Sequence, residues 1–300
     1  MVKSLEYIID RMTLSKALGF TDNAKLLIIH ADDAGLSHSE NSATINSLKN
    51  GVVNSYSIMV PCPWFYEMAQ FAKNFPSFDH GVHLTLTCEW NQYKFGPVLS
   101  PEEVPSLVDE KGYFFKDRQN LVQKAEIDDL RKELRAQIDR ALFFGLQPSH
   151  LDSHMYALGA SKEFLDLYRE IGEEYRLPVM LNGELIKQVS GLDLQGLDLG
   201  KTPLIEHLYL GYYDAFIQGK LVEYYLNSIH NLKAGLNLIL IHPAYDDPEM
   251  RAVTIDHPNF GAQWRQTDLD FFTSDACKLA LKKEKVQLIT WQTIKDLIYP

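Results

Sequence analysis

A chain of 300 residues holds one large α/β domain or two small ones, and its 46% apolar content is ordinary for a globular protein. Its formal charge of −11, from 29 basic against 40 acidic residues, argues against a nucleic-acid partner, because no phosphate-neutralising surplus exists. No uncharged apolar run approaches the roughly 18 residues of a transmembrane helix, and the charged N-terminus MVKSLEYIIDRMTLSKALGF lacks the apolar core of a secretory signal.

A neutral or cationic substrate suits this charge. Cys62, Cys88 and Cys277 are odd in number, far apart and without a CxxC pair, so they read as reduced thiols of a cytoplasmic protein. Residues 1–24 read as a peripheral, amphipathic helical extension of one domain spanning 1–300. Oligomeric state is not legible, and a homo-oligomer is compatible with this composition.

The first strand is Leu26–Ile29 of KLLIIHADDAG, a continuous apolar run of the kind buried on both faces. Asp32 and Asp33 follow it directly. Two adjacent carboxylates at the end of an apolar strand repel one another and lose hydration, so they require a metal ion or a strong hydrogen-bond network. Ser37 and Glu40 form a capping-box pattern for a helix from His38 to Asn50, closed by a left-handed Gly51.

Further along, strands are predicted at 52–60 and 81–87 with a helix at 63–75 between them. In GVHLTLT, His83, Thr85 and Thr87 share one face. The stretch 88–124 has no periodicity and reads as a lid or substrate wall. Its Trp90, Tyr93, Tyr113, Phe114 and Phe115 either stack on sugar rings or pin the loop. A helix over 126–144 precedes the strand PSHLDSH, in which His150, Asp152 and His154 point the same way.

A helix at 162–175 leads to a strand at 178–181. The segment 191–213 is ambiguous, with a weak strand near 205–210. The pattern then predicts helix at 213–232, a buried strand at 236–241 ending in His242, helix at 268–283, a last strand at 286–291 and a closing helix at 293–298. Seven or eight strand–helix alternations without a linker argue for a distorted parallel (β/α) barrel as a single domain. A doubly wound sheet is the alternative, but no GxGxxG follows the first strand.

On that barrel, Asp32, Asp33, His83, His154 and His242 all gather on the C-terminal rim. Two histidines and one carboxylate suffice to hold a catalytic divalent metal with positions open for water and substrate. His38, His80, His207, His230 and His257 fit no such pattern and read as surface or packing residues. His150 reads as an orienter or a buried residue.

HADDAGLS, GVHLTL, PSHLDSH and LIHPA, in that order between about Leu26 and Trp291, resemble the YdjC-like (ChbG/HpnK) carbohydrate deacetylases, relatives of the polysaccharide deacetylases. The resemblance implies a distorted (β/α) barrel that removes the N-acetyl group of an amino sugar or N-acetylated oligosaccharide. It implies Asp33, His83 and His154 as metal ligands, Asp32 as general base, His242 as general acid, and Arg265 as the late arginine keeping Asp32 ionised. Zinc or magnesium leads among the metals implied, with manganese, cobalt and nickel suited too. The Met155-Tyr156-Ala157 that follows PSHLDSH departs from the further histidines frequent in that family, which bears on the substrate wall. A hydrolase of another amide or ester bond and a non-catalytic sugar-binding barrel are the alternatives. A phosphoester substrate is disfavoured by the acidic charge and the lack of an arginine cluster.

Overall fold

A computed structural model describes residues 13–194, 199, 201 and 203–300, so residues 1–12 of the expected N-terminal extension lie outside the described residues. The described part of that extension holds one short helix, α1 (Leu14–Ala17). The strands are β1 (Lys25–Ala34), β2 (Ser55–Ile58), β3 (Asp79–Leu84), β4 (Leu151–Ser153), β5 (His207–Leu210), β6 (Gly235–Ile241) and β7 (Gln287–Leu288). All pair in parallel in one sheet of order β4-β3-β2-β1-β6-β5, with β7 attached to β1. Around it lie α2 (His38–Asn50), α3 (Phe65–Asn74), α4 (Arg118–Lys124), α5 (Ile127–Phe143), α6 (Lys162–Tyr175), α7 (Gly183–Ser190) and α8 (Tyr213–Ile217). The chain continues through α9 (Leu221–His230), α10 (Pro248–Val253), α11 (Ala262–Thr273), α12 (Asp275–Lys283) and α13 (Trp291–Ile298).

The apolar run of β1 explains its central place. Leu26 to Ile29 are fully buried, and each such side chain contributes about 1.5–3 kcal/mol of hydrophobic stabilisation. One edge of β1 pairs along its length with β6, from Lys25↔Gly235 to Ala31↔Ile241. The other edge is divided: β7 takes the early residues (Leu26↔Gln287) and β2 the later ones (His30↔Ser55). One strand therefore ties three others together and delivers its carboxyl end to the rim.

The barrel is incomplete. The strand expected at 178–181 is reduced to a single bridge, Val179↔Leu151. Pro178 has no N–H to give, so only Leu151 N→Pro178 O and Met180 N→Leu151 O form there. On the far side Ile205 N bonds Leu181 O, so the backbone passes between β4 and β5 without a full ladder. The last strand shrinks from 286–291 to two residues, following a left-handed Lys285 (φ 53°). The helix expected over 268–283 is two helices, because Ser274 turns extended and caps α12 through Cys277 N.

Two local expectations for α2 are corrected. Ser37 Oγ does accept from Glu40 N, but the Glu40 carboxylate turns inward to another partner. Gly51 is extended (φ −99°, ψ −153°), not left-handed. A side chain there would meet Phe272 O and Ser47 O at 2.6 Å, so close approach is what demands glycine. The 88–124 stretch is anchored rather than loose: Trp90, Phe114 and Phe115 are core residues, and Tyr93 donates its hydroxyl to Leu36 O. The three cysteines are buried and free of disulfides. No helix among the described residues is long and apolar enough to cross a membrane.

Candidate active site

Neighbouring residues of a regular strand point to opposite faces, so Asp32 and Asp33 could not both face the interior of a straight β1. The strand is not straight there. Asp33 has φ 65°, and the β1–β2 register shifts between Ala31 and Ala34. Aspartate tolerates this left-handed geometry better than most residues, and the irregularity turns both carboxylates to one cavity. Gly35 (φ 98°) completes the turn, where a Cβ would press on Met59 O at 3.0 Å.

His83 on β3 and His154, immediately after β4, meet Asp33. His83 Nε2 lies 3.3 Å from Asp33 Oδ1, and His154 Nδ1 lies 3.1 Å from the same oxygen. Each ring is oriented from behind. His83 Nδ1 hydrogen-bonds Ser57 Oγ at 3.1 Å and lies 2.9 Å from Asp152 Oδ1. His154 Nε2 hydrogen-bonds Glu89 Oε2 at 2.9 Å. All six groups are buried.

Asp32 lies beside this trio. Its Oδ1 is 3.1 Å from His30 Nε2, and its Oδ2 is 3.9 Å from His83 Nε2 and 3.8 Å from His242 Nε2. Burial, reinforced by the charge of Asp152, pushes the Asp32 carboxyl up to about 6. Burial would raise Asp33 too, but Arg265 and His154 hold it well below the usual carboxylate range.

Two expectations about the surrounding groups change. Arg265 reaches Asp33, not Asp32: Nη2 donates to Asp33 Oδ2 at 2.8 Å and Nη1 to Glu40 Oε2 at 2.7 Å. Asp32 rests instead against His30. The second concerns His242, the general acid that the resemblance implies, a role that asks it to carry a proton. Burial pushes it down to about 3, and Asp268, the nearby carboxylate, accepts from the His242 backbone N–H rather than from the ring. His242 Nδ1 has no hydrogen-bond partner among the described residues.

These side chains line a cavity of about 300 Å³ at the carboxyl ends of the strands. Asp32, Asp33, His83, His154, His242 and Arg265 all border it. None of the five loop aromatics does; Tyr156 and Phe260 supply its aromatic wall. His257, read as a surface or packing residue, also borders the cavity.

The sequence reading missed Glu89, Glu40 and His30. Glu89 sits in an aperiodic loop, Glu40 looked like a helix cap, and His30 looked like part of a buried strand. Asp152 had a signal in the alternation of PSHLDSH, but not for its partner.

The donor set fits a divalent cation. Asp33, His83 and His154 each offer an atom within 4.8 Å of the others, and His83 Nε2 is buried without a hydrogen-bond partner. A second grouping, His30, His150 and Asp152, is deeper and packed: His150 stacks on Trp291 at 5.1 Å, and His30 is bonded at both nitrogens.

Fold and site together define an incomplete parallel (β/α) barrel with a buried Asp/His cluster on its C-terminal rim, where barrel enzymes keep their chemistry. The chain belongs to the YdjC-like protein family, whose profile matches residues 26–283. It is 32% identical over 233 residues to a carbohydrate deacetylase of Thermoanaerobacter pseudethanolicus, covering 78% of this chain and 86% of that one. It is 28% identical over 278 residues to a chitooligosaccharide deacetylase of Proteus mirabilis, covering 90% and 99%. Among solved structures, one from Enterococcus faecalis, described as a putative cellobiose-phosphate cleavage protein, superposes with a TM-score of 0.71 at 28% identity, covering 90% and 99%.

Proposed function

We propose that the protein is a metal-dependent carbohydrate N-deacetylase, which hydrolyses the N-acetyl amide of an amino sugar or N-acetylated oligosaccharide and releases acetate. The observation that carries this reading is the convergence of Asp33 Oδ1, His83 Nε2 and His154 Nδ1 at the wall of the cavity. The deacetylase names of its relatives give the substrate class.

Asp33, His83 and His154 would hold the ion. Such an ion supplies Lewis acidity, polarising an acyl oxygen and acidifying water. Zinc suits two imidazoles and a carboxylate, as do manganese, cobalt and nickel, and magnesium suits a site with more oxygen donors.

Asp32 has one oxygen against His30 and the other facing the cavity, which places it to take a proton from the attacking water. The departing amine needs a proton. His242 borders the same cavity, 3.8 Å from Asp32, which places it to hand that proton to the amine as it leaves. Arg265 pins Asp33 Oδ2 and leaves Oδ1 directed at the two histidines.

The test is a panel of N-acetylated sugars and oligosaccharides, with protein stripped of metal and reloaded with single ions. Acetate release that appears only on reloading is expected. Phosphate release from generic esters without acetate release, or acetate release unaffected by stripping, would overturn the reading.

A further inference from the structure

We propose that Glu89 is a positioning residue of the cation site: its carboxylate sets the tautomer of His154, so that Nδ1 is the atom presented to the ion. The inference rests on the metal reading above and goes beyond it, because it concerns how the ligand is prepared.

A neutral imidazole carries one N–H and one lone pair, and the partner of one nitrogen decides which is which. Glu89 accepts from His154 Nε2 at 2.9 Å and so keeps a proton on that nitrogen, which makes Nδ1, hydrogen-bonded to Asp33 Oδ1 at 3.1 Å, the nitrogen that gives up its proton and supplies a lone pair when an ion binds. His83 is held the other way round. Its Nδ1 faces Ser57 and Asp152, so its Nε2 is the free atom. The two rings meet edge to face, with centroids 5.4 Å apart and planes at 71°. They offer opposite nitrogens to one point, and each needs its own acceptor to do so.

The backbone shows why His154 cannot simply copy His83. His83 extends from a regular strand, whereas His154 leads into two successive left-handed residues, Met155 (φ 51°) and Tyr156 (φ 53°). The ring enters from a turn, with its Nδ1 edge inward and its Nε2 edge toward the 88–95 loop. That loop is fixed in advance. Cys88 N bonds Phe115 O, and the buried Trp90 lies against Arg265, 5.6 Å from ring centroid to guanidinium carbon. Glu89 sits between these two anchors, so its carboxylate is in place before any ion arrives.

The experiment uses the full chain, stripped of metal and titrated with Zn(II) against a chromophoric chelator and with Co(II) by visible absorption. Glu89→Leu is expected to weaken binding about 10–100-fold, the range for losing an acceptor behind a ligating histidine, and to change the Co(II) bands. Glu89→Gln keeps a carbonyl oxygen for Nε2–H and is expected to retain most of the affinity and the wild-type bands. Glu89→Ala replaces the Leu variant if that one does not fold. A folded Leu or Ala variant that binds as tightly as wild type, with the same Co(II) bands, overturns the proposal. So does a Gln variant that loses as much as Leu, since charge alone would then matter. If wild type itself binds neither ion, the metal reading fails, a result distinct from either of these.

Discussion

Asp32 and Asp33 are neighbours in the chain with opposite surroundings. Asp33 is held by Arg265 and faces two imidazoles; Asp32 has His30 at 3.1 Å, with His83 and His242 farther off at 3.9 and 3.8 Å, and no arginine. Asp32→Asn should therefore abolish acetate release, by about 10²–10⁴-fold, while keeping bound metal, because no ligand atom is lost. His83→Ala should lose the metal itself. Metal analysis beside turnover separates the two, and near-normal turnover in Asp32→Asn would refute its role. His30 should matter without touching substrate: it stands between Asp32 and Asp152, 3.1 Å from each. His30→Leu should lower kcat more than it raises KM, with His30→Gln partly restoring it. Equal losses in both variants would refute a positioning role.

The helices and strands explain how such a polar cluster is tolerated. Gly81 on β3 exists because the His150 ring lies where a side chain would go, 2.5 Å from a Cβ. Gly81→Ala should push His150 against Trp291 and cost about 1–3 kcal/mol in urea unfolding. On α5, Glu133 accepts from Val98 N and Leu99 N and so ties down the long loop. Burial pushes its carboxyl up to about 7 from about 4.5 when unfolded. The folded state thus holds this proton more tightly. Its contribution to stability is complete below about pH 4.5 and is lost as pH rises through 7. Up to about 3 kcal/mol of wild-type stability should disappear over that window for this reason, and Glu133→Gln should flatten the slope. An unchanged slope in the variant would refute the assignment.

For the molecule as a whole, the rim concentrates carboxylates and histidines in a chain that is already acidic, so a cation bound there should stabilise the fold. At a free concentration 100 times Kd the gain is about 2.7 kcal/mol, and chelator should lower the Tm measured by calorimetry by several degrees. A Tm indifferent to both chelator and ion would count against a resident metal.

Much of this architecture was legible from residues alone, because burial on both faces writes itself as an uninterrupted apolar run. That signal marks β1 and β6, and Ser37 marks the start of α2. It failed for β7 and for 178–181, where a left-handed Lys285 and the missing N–H of Pro178 cut the ladders short. The residues of the candidate site were visible as types and positions: paired aspartates after a buried strand, and histidines closing three others. Their partners were not. Glu89 is 65 residues from His154, Glu40 is 225 from Arg265, and Arg265 is 232 from Asp33. Local pattern records which face a side chain takes, because that depends on neighbours in the chain. Which carboxylate an arginine clamps, and which nitrogen a histidine turns inward, depend on atoms brought together only when the sheet curls, and no spacing encodes them.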